Sequence, residues 1–249
     1  MNASPNRPKL AFWLETESQA ACELGALVGY DAVILDMEHG TLDAIAADRL
    51  IPYAASLGLT VYSRVARAER VEIQHALDSG ADGVILPQIR NAQHAAEACS
   101  YAKYPPLGTR GVGYSRTMKY AGTDDAFFAA ENRRVACHPM IETPTALVEV
   151  RAIAALPTVD GLFIGPSDLS MTRGRGVFKA TGDDRADVRT IAAAATSAKK
   201  IWAMPAPGGA MFSLARKLGA DYVTVSDDLT ALRAGLEAGF DVSRKAGKP

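Results

Sequence analysis

Two acidic residues, Glu142 and Asp168, stand where this sequence could hold a metal ion. Each follows an apolar run, where an unpaired carboxylate is costly to desolvate. Two carboxylates, completed by water and a chelating ligand, make an oxygen-rich octahedral site of the kind that suits Mg2+ or Mn2+. The competing reading has them capping helices, since Glu142 directly precedes Thr143-Pro144. A second cluster is Asp36-Met37-Glu38-His39-Gly40. His39 is the natural base, and Asp36, three residues earlier, could fix its tautomer and adjust its pKa. Glu38 shares the face of Asp36 and takes no catalytic role. Arg64 offers a fork for a carboxylate or an enolate oxygen, or else an ion pair with a neighbouring acid. His75, His94 and His138 read as structural, the first two on helices and the last low on a strand.

These residues need elements to bring them together. Eight β-rich runs are expected at 10–14, 31–36, 59–64, 82–87, 136–141, 159–164, 200–204 and 221–225. Several are continuously apolar, such as Ala32-Val33-Ile34-Leu35, which suits parallel strands covered on both faces. Helical stretches are expected at 17–28, 43–57, 69–79, 91–102, 144–155, 186–198, 208–218 and 228–238, with a shorter one near 124–133. Gly29-Tyr30-Asp31-Ala32-Val33 resembles Gly80-Ala81-Asp82-Gly83-Val84 and Gly219-Ala220-Asp221-Tyr222-Val223, and Val159-Asp160-Gly161 is a looser copy. Repetition of one helix-to-strand joint points to a (β/α)8 TIM barrel, a single domain over 1–249. In that fold chemistry sits at the carboxyl ends of the strands. Asp36, Glu38, His39, Arg64, Glu142 and Asp168 all fall there. The basic loop Met171–Lys179 follows, and Arg173 or Arg175 is expected to attract an acidic or hydroxylated substrate.

The bulk properties exclude several classes. The chain has 249 residues, 48 % apolar and 22 % charged, with a formal net charge of -1. No basic stripe marks a nucleic-acid partner, no apolar run reaches the ~18–20 residues that span a membrane, and no secretory segment is read at the N-terminus. Three widely spaced cysteines, Cys22, Cys99 and Cys137, suit buried small hydrophobes in a reducing cytoplasm. Every lysine falls at a strand start, in a loop, on a helix or in the tail, so imine chemistry is not expected.

Asp36-x-Glu38-His39-Gly40, Arg64, Tyr104-Pro105-Pro106-x-Gly108-x-Arg110-Gly111, Ile141-Glu142-Thr143 and Phe163-Ile164-Gly165-Pro166-Ser167-Asp168-Leu169-Ser170 occur in this order. Together they resemble the HpcH/HpaI aldolase family, the metal-dependent pyruvate aldolases, over roughly residues 8 to 240. The resemblance implies a barrel of the phosphoenolpyruvate/pyruvate type that cleaves 4-hydroxy-2-oxo acids to pyruvate, or a close analogue, and an aldehyde through a metal-stabilised enolate. It implies Glu142 and Asp168 as ligands of a divalent cation, Mg2+ or Mn2+ first and Co2+ or Zn2+ as alternatives. Arg64 would hold the oxo oxygen, His39 with Asp36 would move protons, Trp13 would line the pocket, and Gly165, Pro166 and Ser167 would shape the pyruvate seat. It also implies a homo-hexamer with a swapped C-terminal helix. Many relatives carry Gln where this chain has Met140, which puts acceptor handling in question. A citrate-synthase-like or other C–C lyase on the same scaffold, and a catalytically silent barrel with a binding role, are the rival readings.

Overall fold

The computed structural model describes residues 7–246. Residues 1–6 and 247–249, Lys248 among them, lie outside. Strand and helix alternate through β1 (Lys9–Leu14), α1 (Gln19–Val28), β2 (Ala32–Asp36), α2 (Ala44–Ser56), β3 (Thr60–Arg64), α3 (Arg70–Asp78), β4 (Gly83–Leu86) and α4 (Ala92–Ser100). After the long loop come α5 (Asp125–Arg134), β5 (Ala136–Ile141), α6 (Pro144–Val148), α7 (Val150–Ala154), β6 (Gly161–Ile164) and α8 (Pro166–Thr172). The chain ends with α9 (Gly182–Ser197), β7 (Ile201–Pro205), α10 (Gly209–Lys217), β8 (Tyr222–Asp227) and α11 (Asp228–Ala246). The eight strands pair in chain order, all parallel, and β8 closes on β1. The expected TIM barrel is what forms.

Alternation along each strand explains the two kinds of core. Phe12, Leu14, Val33 and Leu35 point outward and pack with Ala46, Leu50 and Ile51 of α2. Ala11, Ile34, Ile85, Met140, Phe163 and Tyr222 point inward and fill the barrel. The inner filling is largely aromatic. Tyr62 stacks on Tyr222 at 4.9 Å and 6°. His138 Nδ1 lies 3.0 Å from the Tyr222 hydroxyl.

The repeated Gly-x-Asp joint has a physical purpose. Gly29, Gly80 and Gly219 take φ of 101°, 106° and 79°, the left-handed turn that ends a helix. The aspartate that follows staples the incoming strand to its predecessor. Asp31 accepts from the Leu10 N–H at 2.8 Å, Asp82 from Val61 at 2.9 Å, Asp160 from Cys137 at 2.8 Å and Asp221 from Trp202 at 2.9 Å. The odd strands are thus tied to the even ones at the amino end, opposite the strand ends rich in acids.

The Tyr104–Gly111 motif serves the scaffold. Arg110 is fully buried, paired with Asp78 at 2.6 Å and Glu131 at 3.5 Å, and lies 4.6 Å over the Tyr104 ring. The three cysteines are buried and unbridged, as expected. No helix among the described residues is long and apolar enough to cross a membrane. Four boundaries differ from expectation. The stretch 144–155 breaks into α6 and α7 at Glu149, whose carboxylate instead accepts from the Ala92 N–H at 2.8 Å. Helix α9 starts at Gly182 rather than 186, because Thr181 and Asp184 form a reciprocal capping box. Helix α8 was not foreseen, and α11 runs on past 238.

His138 is 1 % exposed, and burial lowers its pKa from 6.5 to about 3. Below pH 6.5 the unfolded chain binds a proton there that the fold refuses, so stability falls as pH drops through that window. From pH 7 to pH 5 this one group accounts for about 2 kcal/mol. Urea denaturation at both pH values should show His138→Gln losing that much less than the wild type on acidification. Parallel losses in the two proteins would contradict this.

Candidate active site

A cleft of about 150 Å³ opens at the carboxyl ends of the strands. Trp13 and Glu15 line it from β1, Asp36 from β2 and Arg64 from β3. Met140 and Glu142 come from β5, Phe163 through Asp168 from β6 and the start of α8 (Ile164 excepted), and Pro205 from β7. Eight of the nine expected site residues therefore meet here: Trp13, Asp36, Arg64, Glu142, Gly165, Pro166, Ser167 and Asp168. No lysine is among the lining residues. A larger groove, about 540 Å³, lies outside the barrel between α1 and the start of α11. Its walls are mainly apolar, and neither Glu142 nor Asp168 belongs to it, so the smaller cleft is the one that gathers the expected site residues.

Glu142 is 1 % exposed. Its Oε1 accepts a hydrogen bond of 2.6 Å from the Gln88 backbone, and Gln88 adopts a left-handed φ of 54° at the end of β4. Helix α6 does not need this carboxylate as a cap. Thr143 caps it, accepting from Ala146 N–H at 3.2 Å and donating to Ile89 O at 2.9 Å. Burial pushes the Glu142 carboxyl up to about 7, the Gln88 hydrogen bond works against that, and repulsion from Glu38 and Asp168 adds to it. Beside Oε2 stands Gly165, where an added Cβ would sit 2.5 Å away. Any side chain at 165 would fill the space that this oxygen faces. Asp168 lies in the first turn of α8. Among the described residues no three His, Cys, Asp or Glu side chains converge as a ready metal cage. Two carboxylates, one of them buried with no salt-bridge partner among the described residues, form an oxygen donor set that fits a divalent cation completed by water and ligand.

Asp36 and Arg64 are register partners on β2 and β3. Arg64 Nε donates to Asp36 Oδ1 at 2.9 Å, and Nη2 donates to Oδ2. Nη1 lies 3.3 Å from Glu38 Oε2, and the guanidinium rests 4.7 Å over the Trp13 ring. This corrects the expected pairing of His39 with Asp36. Asp36 reaches His39 only through its backbone N–H, at 3.2 Å, because the carboxylate is taken by the arginine directly opposite it. The His39 side chain is 64 % exposed, with Nε2 3.9 Å from Glu38, and it stands at the rim rather than in the lining.

The basic loop also departs from expectation. Arg173 pairs with Asp187 at 3.2 Å, and Arg175 pairs with Asp184 at 3.0 Å and Asp187 at 2.5 Å. Both arginines fasten the loop to α9, and neither lines the cleft. Glu15 and Gln88 were the residues that sequence reasoning passed over. Glu15 stands one position beyond β1, two after Trp13, which is the signal that could have found it. Gln88 acts through its backbone, for which its identity carries no sign.

The HpcH/HpaI aldolase/citrate lyase model matches residues 9–206. The chain belongs to this family. It is 36 % identical over 165 residues to the 2-dehydro-3,6-dideoxy-6-sulfogluconate aldolase of Pseudomonas putida, covering 66 % of this chain and 65 % of that one. It is 32 % identical over 253 residues to the 5-keto-4-deoxy-D-glucarate aldolase of Salmonella arizonae, covering 97 % and 98 %. The chain thus spans just under two thirds of the first relative and nearly all of the second. Among solved structures, an HpcH/HpaI aldolase/citrate lyase family protein from Burkholderia cenocepacia J2315 superposes with a TM-score of 0.87 at 29 % identity, over 96 % of this chain and 95 % of that one.

Arg175→Ala should lower stability by about 1–3 kcal/mol, since it takes the cation from the largely buried Asp184 and leaves Asp187 to Arg173 alone. KM for acidic substrates should stay at the wild-type value. A raised KM with unchanged melting temperature would restore the substrate-attracting reading.

Proposed function

We propose that the protein is a divalent-metal-dependent aldolase that reversibly cleaves 4-hydroxy-2-oxo acids to pyruvate, or a close analogue, and an aldehyde. The observation that carries this reading is the buried Glu142 carboxylate, which has no salt-bridge partner among the described residues and faces the same cleft as Asp168 and Arg64. Family membership and relatives named as aldolases support it. Glu142 and Asp168 would hold the cation, with Mg2+ or Mn2+ matching the oxygen donors best and Co2+ or Zn2+ as alternatives. When bound, the cation supplies Lewis-acid charge beside the 2-oxo group.

The chain's own residues do the rest. Arg64 directs N–H donors toward the oxo oxygen as negative charge grows there, and Asp36 keeps its fork from turning. Trp13 walls the pocket under that guanidinium. Gly165, Pro166 and Ser167 shape the seat of the 2-oxo acid. In cleavage His39 takes the proton of the C4 hydroxyl, the C3–C4 bond breaks, its electron pair passes to C3 as an enolate, and C4 leaves as the aldehyde carbonyl. Return to C3 of the proton that His39 took up then yields pyruvate and restores the neutral imidazole. Synthesis runs the same steps backwards.

The proposal includes a cytoplasmic homo-hexamer in which α11 crosses to a neighbouring barrel. Leu229 and Leu232 on that helix line the apolar groove, and they and Leu236 are exposed, which supports it. Sedimentation should find six chains, and a stable monomer would defeat that part.

The activity is tested by coupled pyruvate release from a panel of 4-hydroxy-2-oxo acids. Chelator should abolish turnover, and Mg2+ or Mn2+ should restore it. Glu142→Gln and Asp168→Asn should each weaken Mn2+ binding, read by electron paramagnetic resonance, by at least about a hundredfold. Turnover indifferent to chelator would refute the proposal.

A further inference from the structure

The charges lining the cleft do not balance. Four carboxylates, Glu15, Asp36, Glu142 and Asp168, face one guanidinium, Arg64. Asp36 holds that guanidinium at two points, and Glu38 approaches its remaining nitrogen at 3.3 Å. Under the proposed function, Glu142 and Asp168 face a divalent cation. Glu15 is left without a partner charge.

Its position relative to the metal pair is informative. The charges acting on Glu142 are Glu38, Asp168 and Arg64. Burial and the nearby Asp227, Asp36 and Asp228 raise the Glu15 pKa, with Arg64 opposing them. Glu15 directly follows β1, which pairs with β2 on one side and β8 on the other, so it stands on the β1–β2–β8 side of the mouth, away from the proposed seat of the 2-oxo acid at the end of β6. That is also the side of the β2 turn that carries His39, and so the side toward which C4 and its substituents extend. The backbone cannot withdraw. Glu15 N–H donates to Asp228 Oδ1 at 2.9 Å, and its carbonyl accepts from Thr41 N–H at 2.8 Å. Gly40 packs so closely against it that an added Cβ would come within 2.7 Å of that carbonyl oxygen. No described side chain donates a hydrogen bond to the Glu15 carboxylate. The arginines that could have reversed this field, Arg173 and Arg175, are committed to Asp184 and Asp187.

We infer that Glu15 is the residue that selects the aldehyde, accepting a hydrogen bond from the hydroxyl of a neutral hydroxyaldehyde and repelling aldehydes that carry a carboxylate, sulfonate or phosphate. This rests on the proposed aldolase reading and goes beyond it by naming the acceptor class. Of the acidic or hydroxylated substrate expected from the basic loop, it sets aside the acidic one and keeps the hydroxylated one.

Aldol synthesis from pyruvate with Mn2+, using glyceraldehyde and succinic semialdehyde as paired acceptors, is the test. One uncompensated charge at this range shifts acceptor discrimination by about tenfold. Wild-type kcat/KM should favour glyceraldehyde by at least that factor. Glu15→Gln should raise kcat/KM for succinic semialdehyde about tenfold, while Glu15→Asp, which keeps the charge, should preserve the discrimination. Equal use of both acceptors by the wild type, or a ratio that Glu15→Gln does not move, overturns the inference. Metal-dependent exchange of the pyruvate methyl protons with deuterated water, followed by NMR on the wild type, needs no aldehyde and separates the two failures. Exchange without acceptor discrimination removes only the role of Glu15. Absence of exchange removes the aldolase reading and this inference with it.

Discussion

Removing a carboxylate from water without giving it a salt-bridge partner works against folding, and this barrel does so at Glu142. The surrounding structure is arranged to tolerate it. The Gln88 amide, held in a left-handed turn, binds one oxygen, and the glycine at 165 leaves the other facing open space. Thr143 takes over the capping of α6, so the acid is not consumed by local structure. A fold that merely needed stability would place an apolar or amide side chain here. The arrangement makes sense as a place held for positive charge.

Register does for Arg64 what burial does for Glu142. Because β2 and β3 pair with Asp36 opposite Arg64, the guanidinium is gripped at two points before any ligand arrives. The Trp13 ring beneath it removes another direction of movement. At the amino end of the same strand pair the Thr60 N–H donates to the Asp31 carbonyl at 3.0 Å, and the Asp31 side chain is itself stapled to Leu10 of β1, so a turn motif remote from the cleft helps to set the geometry within it.

The strands were legible because their faces are both covered, which leaves short uninterrupted apolar runs such as Ala32–Leu35. The site was legible for a related reason: polar residues crowd the ends of those runs on one side only. What stayed hidden is what depends on contacts between elements. Nothing local in Asp36-Met37-Glu38-His39 shows that the first carboxylate goes to Arg64 on the next strand rather than to the imidazole three residues on. Helix α8 is too short to show a period, and its Pro166-Ser167-Asp168 start reads as punctuation after a strand. The basic character of Arg173 and Arg175 was plain, but their partners Asp184 and Asp187 sit on α9, whose first turn the sequence reading had left outside the helix.

The aromatic filling of the barrel has a bearing on traffic. Tyr62, Tyr222 and His138 close the interior below the cleft, with Phe163 and Trp13 meeting edge to face above them at 5.7 Å. Small molecules can therefore reach the cleft only from the face where the strands end, and the barrel axis offers no second door behind it.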